Sequence, residues 1–276
     1  MTIRSTLLLF VLLSCLISTG KAQTLDSRYL QSLANTDTFE VKNQKQNYYI
    51  YVKGPAQQEP DKRYPVIYLL DGGITFPMLS AHAHLLQALE ELPELIIVGI
   101  SYGTDDWRQG NARSHDFTLP SENENRKHWG GATEFARFLT QKLIPLIAQK
   151  YPTDEAKRLL FGNSLGGQFG LYLATYRPEL FYGIIANNPA IHTNTERFLK
   201  LPESLSFKGR VKLFVGAAEH DAARFTAPRK IWQSYWHENS HPNWQLHIQP
   251  MPGHSHVSSI PDAFRQGVAW ILSTES

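Results

Sequence analysis

The pentapeptide Gly162-Asn-Ser-Leu-Gly166 lies between a strand-forming run and a helix-forming run, and it constrains the fold of this 276-residue chain more than any other segment. A serine in a tight strand-to-helix turn projects from the backbone, where a histidine can take its proton and a helix N-terminus faces a developing oxyanion. The strand and the helix nearly touch in such a turn, so small residues are needed there, and Gly162, Gly166 and Gly167 supply them. The pattern predicts Ser164 as a nucleophile; the alternative is a structural glycine turn.

Strand-like and helix-like segments alternate along the rest of the chain. Residues 66–70 and 95–100 are continuous apolar runs, typical of strands buried on both faces. Further strands are predicted at 39–41, 48–52, 181–186, 211–215 and 244–249, the first two as an antiparallel pair, and helices at 79–91, 134–150, 229–237 and 261–272. This alternation predicts one α/β domain over residues 23–276, with a mostly parallel central sheet and helices on both faces.

Residues 1–22 have the composition of an export signal peptide. Arg4 supplies a positive start, residues 7–17 an apolar run, and Gly20-Lys-Ala22 a small-residue cleavage site before Gln23. The apolar run is too short for a comfortable membrane span. We therefore expect a periplasmic or secreted protein without stable membrane insertion after cleavage; lipid attachment at Cys15 is the alternative.

Charge and cysteine content narrow the function classes. Cys15 is the only cysteine, so the chain after cleavage has no disulfide and no thiol nucleophile. Of the 27 Lys and Arg residues two, Arg4 and Lys21, lie in the leader, which leaves 25 basic residues against 25 acidic ones. A neutral domain without a basic cluster is a poor candidate for binding nucleic acid. We expect a small-molecule substrate; the sequence leaves the oligomeric state open.

The partners of a nucleophilic serine in such a sheet should follow later strands, in the order acid and then histidine. Glu219 comes four residues after the predicted strand 211–215 and is the expected acid, with Asp221 as its competitor. Its task is to fix the imidazole tautomer and to stabilise the imidazolium. The loop after the strand at 244–249 carries His254 and His256, and the residue pattern does not choose between them.

Two backbone segments are expected to form the oxyanion hole. One donor is the N–H of Leu165, which follows the nucleophile, and the other comes from Gly72-Gly73, after the strand at 66–70. Glycine lets an amide approach a tetrahedral intermediate closely. A plain tight turn is the alternative interpretation of the two glycines.

A formal zinc-protease pattern occurs at His237-Glu-Asn-Ser-His241. That pattern binds metal only within one helix, where both imidazoles lie on one face. Asn239, Ser240 and Pro242 end the predicted helix instead, so we expect no metal and no organic cofactor. The pair His82 and His84 is likewise expected on a helix surface.

The polar segment 102–131 is long for a loop, and loops of that length are usually functional or mobile. Trp107 and Trp129 lie near its ends. Both are candidate substrate-binding residues, since an indole can stack on an aromatic or sugar ring. The alternative is that they pack on their own domain.

From about residue 39 to residue 272 the chain resembles the esterase family of α/β-hydrolases that includes esterase D-like enzymes, feruloyl and acetyl esterases, siderophore esterases and mycolyltransferases. The motifs that carry the resemblance are the segments 64–72, 113–118, 130–135, 162–167, 188–189, 216–219 and 252–256. The resemblance implies the α/β-hydrolase fold and a serine ester hydrolase.

Several site residues follow from the resemblance. The family loop P-G-x-x-H-G-S matches His256 as the catalytic histidine, and the same comparison favours Glu219 as the acid. Arg113 matches an arginine of the family's R-x-R-D-F/Y-T loop and is a candidate substrate-binding residue. The chain departs from the family at His115, where a second arginine is usual, and at Val257, where glycine is usual. Some siderophore esterases of the family use a Ser–His dyad, which leaves the acid's contribution open.

The combined interpretation is an exported serine esterase that acts on a small-molecule ester, such as a siderophore or an acylated sugar. Ser164 is the nucleophile and His256 the base. Two other functions remain open: an acyltransferase that uses the same triad, and a catalytically silent binding protein.

Overall fold

The computed structural model of the chain describes residues 35–43, 46–55, 58–104, 106, 110–202 and 207–273. The predicted leader and Trp107 lie outside these residues. The strands are β1 (Asp37–Lys42), β2 (Asn47–Lys53), β3 (Tyr64–Leu69), β4 (Ile96–Ser101), β5 (Thr153–Asn163), β6 (Gly183–Asn187), β7 (Val211–Ala218) and β8 (Trp244–Met251).

These strands form one sheet in the order β1-β2-β4-β3-β5-β6-β7-β8. β1 and β2 pair antiparallel with each other, and β2 pairs antiparallel with β4. All the pairs from β4 through β8 are parallel. The prediction of a mostly parallel α/β sheet, preceded by an antiparallel strand pair, is confirmed.

Helices connect the parallel strands. They are α1 (Gly72–Ala88), α2 (Arg113–Asp116), α3 (Ala132–Phe138), α4 (Ile144–Lys150), α5 (Leu165–Tyr176), α6 (Ala223–Asn239) and α7 (Ile260–Leu272), with a π-helical turn, Leu139–Leu143, joining α3 to α4. α1 begins earlier than predicted because Asp71, in the left-handed region (φ 55°, ψ 43°), turns the chain from β3 directly into the helix. α6 also extends beyond its predicted range at both ends.

Both faces of the sheet are buried, as continuous apolar strands require. Along β3, Val66 and Tyr68 face the core layer that includes α3, α5 and α6, whereas Ile67 and Leu69 face the layer that includes α1 and α7. This packing holds the carboxyl ends of the parallel strands at one edge. Within the described ranges, no helix combines the length and hydropathy that a membrane crossing requires.

Candidate active site

Ser164 occupies a strained turn between β5 and α5. Its backbone lies at φ 60° and ψ −116°, and its N–H donates to the carbonyl of Asn187 at 3.0 Å. A Cβ on Gly162 would lie 2.3 Å from the carbonyl oxygen of Gly166, and one on Gly167 would lie 2.7 Å from that of Asn187. Gly166 differs, because a Cβ there meets nothing nearer than 3.5 Å. Two of the three predicted glycines are therefore required by close approach.

A carboxylate and an imidazole meet where the loops after β7 and β8 come together. Oδ2 of Asp221 lies 2.9 Å from Nδ1 of His256, and Oδ1 accepts a hydrogen bond from the N–H of Ala222 at 2.7 Å. The Asp221 side chain is 1% exposed and that of His256 is 24% exposed. His254 lies apart from this pair and contacts Asp262 instead, at 2.9 Å. An imidazole held through Nδ1–H presents Nε2 as the basic nitrogen.

The geometry places Asp221, and not the expected Glu219, in contact with His256. β7 continues to Ala218, beyond the predicted end at residue 215, so Glu219 lies at the strand end rather than in the loop. Its side chain is 59% exposed and accepts a hydrogen bond from the N–H of Gly253 at 2.8 Å. Asp221 lies two residues further along the chain, and its carboxylate reaches His256.

Two side chains of α6 support the pair. The ring of Phe225 stacks on the imidazole of His256, with centroids 4.8 Å apart and 21° between planes. Nη1 of Arg229 lies 3.1 Å from Oδ2 of Asp221, and the two side chains are 4% and 1% exposed. The imidazole is thus fixed by a carboxylate at its edge and by a ring on its face.

The expected oxyanion donors lie at two helix starts. Leu165 is the first residue of α5, and Gly72 and Gly73 are the first two of α1. The first N–H groups of a helix have no partner within it and remain free for a ligand. A Cβ on Gly72 would lie 2.5 Å from the backbone N of Ile100, so only glycine fits there.

Arg113 binds the residue that precedes these glycines. Its Nε and Nη2 donate to Oδ1 and Oδ2 of Asp71 at 2.6 and 2.8 Å. Burial lowers the pKa of the guanidinium, but the charge and hydrogen bonds of Asp71 outweigh it and raise the pKa of Arg113 above its ordinary value. Although Arg113 lines the cleft that contains Ser164, its Nε and Nη2 are both bound by Asp71.

A cleft of about 640 Å³ opens beside Ser164. The residues that line it are Arg113, Ser114, Asn125, Arg126, His128, Trp129, Ser164, Leu165, Ala190, His192, Arg224 and Phe225, with no carboxylate among them. The guanidinium of Arg126 lies 4.7 Å from the ring centroid of Trp129, and that of Arg224 lies 4.7 Å from that of Phe225. Burial, together with both arginines, lowers the pKa of His192. The cleft therefore suits an anionic or aromatic ligand.

A smaller pocket of about 210 Å³ is also lined by Arg113. Gly73, Asn163 and Val257 each contribute to its wall, and each is next in sequence to a residue of the candidate site. The pocket is therefore close to the reacting centre.

The loop that carries Arg113 is anchored by Asp116. This carboxylate accepts hydrogen bonds from the hydroxyls of Tyr48 and Tyr102 at 2.8 and 3.1 Å and lies 2.8 Å from Nδ1 of His115. Burial raises the pKa of Asp116, while the three hydrogen-bond partners oppose that rise. His115, which departs from the family pattern, thus binds within its own loop.

The zinc-protease pattern does not form a metal site. α6 ends at Asn239, and Ser240 has a positive φ of 46°, so His237 and His241 do not share one helix face. His241 stacks on Trp244 instead, with centroids 4.0 Å apart. Across the part of the chain that the structure describes, no group of three or more metal-ligating side chains was found. His82 and His84 are both half-buried on α1.

Several side chains that meet here were not identified from the sequence. Arg224 and Phe225 precede the helix predicted at 229–237 and Arg229 is its first residue, so helix periodicity assigned none of them to the site. Arg126 lies in a 3-10 turn of the long loop, next to the predicted Trp129. The one sequence signal for the residues of α6 was their closeness to Asp221, because the helix begins soon after that acid.

A sequence family described as "Putative esterase" matches residues 42–252 of this chain. The ferri-bacillibactin esterase BesA of Bacillus subtilis is 34% identical over 171 residues, which cover 58% of this chain and 59% of the relative. The apo-salmochelin esterase of Escherichia coli is 29% identical over 143 residues, covering 49% of this chain and 44% of the relative. The chain thus spans only about half of each curated relative.

The crystal structure of the BES protein from Bacillus cereus superposes with a TM-score of 0.77 and 25% identity, over 87% of this chain and 96% of that one. The resemblance and the fold predicted from the sequence are both confirmed by these matches.

Proposed function

The chain belongs to the putative-esterase family of α/β-hydrolases, and from that premise we propose that it is a serine esterase with Ser164, His256 and Asp221 as its catalytic triad. The observation that carries the proposal is the 2.9 Å contact between Asp221 and His256. It lies at the sheet edge where Ser164 projects from its strained turn. The chain order of serine, acid and histidine is that of an α/β-hydrolase.

The proposed reaction proceeds through an acyl-enzyme. Ser164 Oγ attacks the ester carbonyl while Nε2 of His256 accepts its proton, and His256 then returns that proton to the leaving alcohol. Asp221 holds Nδ1–H and stabilises the imidazolium. A water molecule, deprotonated by His256, attacks the acyl carbonyl and releases the acid and free Ser164.

The oxyanion of each tetrahedral intermediate is held by backbone amides. Leu165 and the pair Gly72 and Gly73 begin two helices, so the helix dipoles also favour negative charge between them. The residues suffice for this chemistry without a metal or an organic cofactor.

We propose that the substrate is an ester or lactone with anionic aromatic groups, of the kind that a catecholate siderophore carries. Two relatives are named for siderophore esters. The cleft beside Ser164 is lined by Arg126, Arg224 and Trp129 and by no carboxylate. An acylated sugar, the other substrate class considered, would leave these cations without a counter-charge.

We further propose that the protein is exported and that its leader is cleaved after Ala22. The support is the positive start, the apolar run and the small-residue site in the sequence. Mass spectrometry of the protein from a periplasmic or culture fraction tests this, since a mature chain beginning at Gln23 is expected. Retention of residues 1–22 would reject it.

A fluorophosphonate and an ester panel test the enzymatic proposal. The reagent should label the wild-type protein but not Ser164→Ala, and hydrolysis of a catechol-bearing lactone should exceed that of a neutral p-nitrophenyl ester. Activity retained in Ser164→Ala would overturn the proposal. Product analysis with an added alcohol distinguishes hydrolysis from acyl transfer, and absence of both turnover and labelling would indicate a silent binding protein.

A further inference from the structure

A single carboxylate oxygen of Asp221 receives two donors of different kinds. Oδ2 lies 2.9 Å from Nδ1 of His256 and 3.1 Å from Nη1 of Arg229. Arg229 is 3% exposed, on the inner face of α6. The proposed triad therefore has a buried fourth member that carries a positive charge.

The remaining contacts of Arg229 fix it to the framework of the site. Its Nη2 donates to the carbonyl of Ala218 at 3.0 Å, at the end of β7, and its Nη1 lies 3.3 Å from Oδ1 of Asn188. Nδ2 of Asn188 in turn donates to the backbone carbonyl of His256 at 3.1 Å. Arg229 thus joins the loops that carry the acid and the histidine.

On the premise of the serine-esterase function proposed above, we propose that Arg229 is a positioning residue that aims Asp221 at His256 and opposes protonation of this pair. A carboxylate held by three donors cannot rotate away from the imidazole without losing hydrogen bonds. A cation in contact with the pair also disfavours the uptake of a further proton, and burial leaves that effect little screened by salt.

Arg229 keeps its charge in this setting. Burial lowers the pKa of the guanidinium, and Asp221 opposes the decrease through a hydrogen bond and its charge. An arginine remains protonated throughout the working range of an esterase. Its effect is therefore constant across pH.

The predicted consequence is activity that extends to lower pH. Removal of the positive charge removes the electrostatic opposition to proton uptake beside Asp221. The unprotonated base is then depleted at a higher pH. The pH at which kcat/KM declines on the acidic side of the profile therefore increases by about one unit.

Other charged or titratable groups lie on the elements around the pair, and they are the same in every variant. Arg224 and His192 lie near Phe225, and Glu219 and His220 lie at the end of β7. His254 lies in the loop after β8 and contacts Asp262 of α7. Glu196 and Arg197 lie on the 3-10 helix Thr195–Leu199, which packs against α6. They contribute equally to each profile, so a difference between variants reports on residue 229.

The test compares Arg229→Gln, Arg229→Met and Arg229→Lys with the wild-type protein and with Lys230→Gln. Lys230 is exposed and adjacent on α6, so its variant removes one positive charge without touching Asp221. For each folded variant, verified by circular dichroism and a melting curve, kcat and KM are measured with a neutral ester from about pH 5 to about pH 9.

We expect Arg229→Gln and Arg229→Met to move the acidic limb of kcat/KM upward by about one pH unit and to lower kcat with little change in KM. In Arg229→Lys the acidic limb should lie at the wild-type pH, because the variant retains the positive charge. In Lys230→Gln the acidic limb should also lie at the wild-type pH. Limbs that coincide in wild type and both neutral variants would overturn the proposal, as would the same upward shift in Lys230→Gln.

Where neither neutral variant folds, Arg229→Lys carries the test alone, and an upward shift of its limb overturns the proposal. Failure of the proposed function is distinct. In that case the wild-type protein itself neither turns over an ester nor accepts a fluorophosphonate on Ser164, irrespective of residue 229.

Discussion

Arg113 and Asp71 form a bidentate ion pair, with N–O distances of 2.6 and 2.8 Å, and Asp71 immediately precedes the candidate oxyanion glycines in the chain. Asp71 is in the left-handed region and is followed at once by Gly72 and Gly73, whose amides begin α1. In the proposed mechanism, Arg113 neutralises the carboxylate of Asp71, which would otherwise oppose the negative charge that develops in the transition state.

Removal of this arginine should slow the chemical step. Arg113→Met leaves the carboxylate of Asp71 unpaired near the developing oxyanion, so kcat should fall by about 10-fold or more, with a smaller change in KM. The double variant Asp71→Asn/Arg113→Met removes the stranded charge and should recover part of the loss. Steady-state kinetics with a neutral ester measures both. Equal kcat in the single variant and the wild type would contradict this role. The control is Arg177→Met, which breaks a surface ion pair.

The assignment of the acid predicts opposite results for two neighbouring carboxylates. Asp221→Asn should lower kcat by about 1,000-fold or more, because the amide cannot hold the required imidazole tautomer. Glu219→Gln should change kcat/KM by less than about 2-fold, because its exposed side chain contacts the N–H of Gly253 and the imidazole of His220 rather than His256. Measured kcat/KM of the two variants decides the matter. Full activity in Asp221→Asn would indicate a Ser–His dyad.

The two glycines of the nucleophile turn should differ in their tolerance of a methyl group. In Gly162→Ala the new Cβ would lie 2.3 Å from a backbone oxygen, whereas in Gly166→Ala it meets only side-chain atoms of Leu70 and Asp71, at 3.5 Å or beyond. We expect Gly162→Ala to lower the melting temperature by several degrees and to abolish fluorophosphonate labelling. Gly166→Ala should fold and react, and its failure to label would contradict this reading of the turn.

Arg126, in the wall of the cleft, should affect the binding of anionic substrates more than that of neutral ones. Arg126 lies over Trp129 in the wall of the cleft, so Arg126→Met should raise KM for an anionic catechol-bearing ester by about 5- to 10-fold. KM for a neutral ester of similar size should change little. Kinetics with the matched ester pair at two salt concentrations tests this, and an equal effect on both esters would count against charge recognition.

Buried His241 should make the fold sensitive to acid. Burial lowers the pKa of His241 to about 4, whereas an unfolded histidine titrates near about 6.5. Between these values the unfolded state binds a proton that the folded state does not, so the free energy of unfolding falls as pH decreases from about 6.5 to about 4, by on the order of 2–3 kcal/mol.

Urea unfolding of His241→Gln at a series of pH values measures this contribution. The variant should show a shallower pH dependence than the wild type over that window. His237→Gln, which changes an exposed histidine of α6, should retain the wild-type slope. Equal slopes in all three proteins would reject the assignment.

Much of the fold was predictable because its signals are local. The apolar runs of β3 and β4 require burial on both faces, and that requirement fixes a sheet covered by helices. The helix boundaries were less predictable. α1 begins at Gly72 because Asp71 reverses the backbone in one residue, a conformation that residue type alone does not specify.

The candidate site shows the same contrast between features encoded locally and contacts between distant residues. Ser164 and its glycines were predictable, because a strained turn between a strand and a helix is encoded within five consecutive residues. Asp221 against Glu219 was not, because the choice depends on where β7 ends and on which loop His256 reaches across the sheet edge.

Local sequence signals specify the α/β class and the position of the serine turn, since backbone sterics and burial periodicity act over neighbouring residues. Three contacts depend on tertiary packing: the one between Asp221 and His256, the one between Arg113 and Asp71, and the burial of Arg229 beside Asp221. Those contacts join residues far apart in the chain, and they form only when the strands are packed side by side and their loops converge.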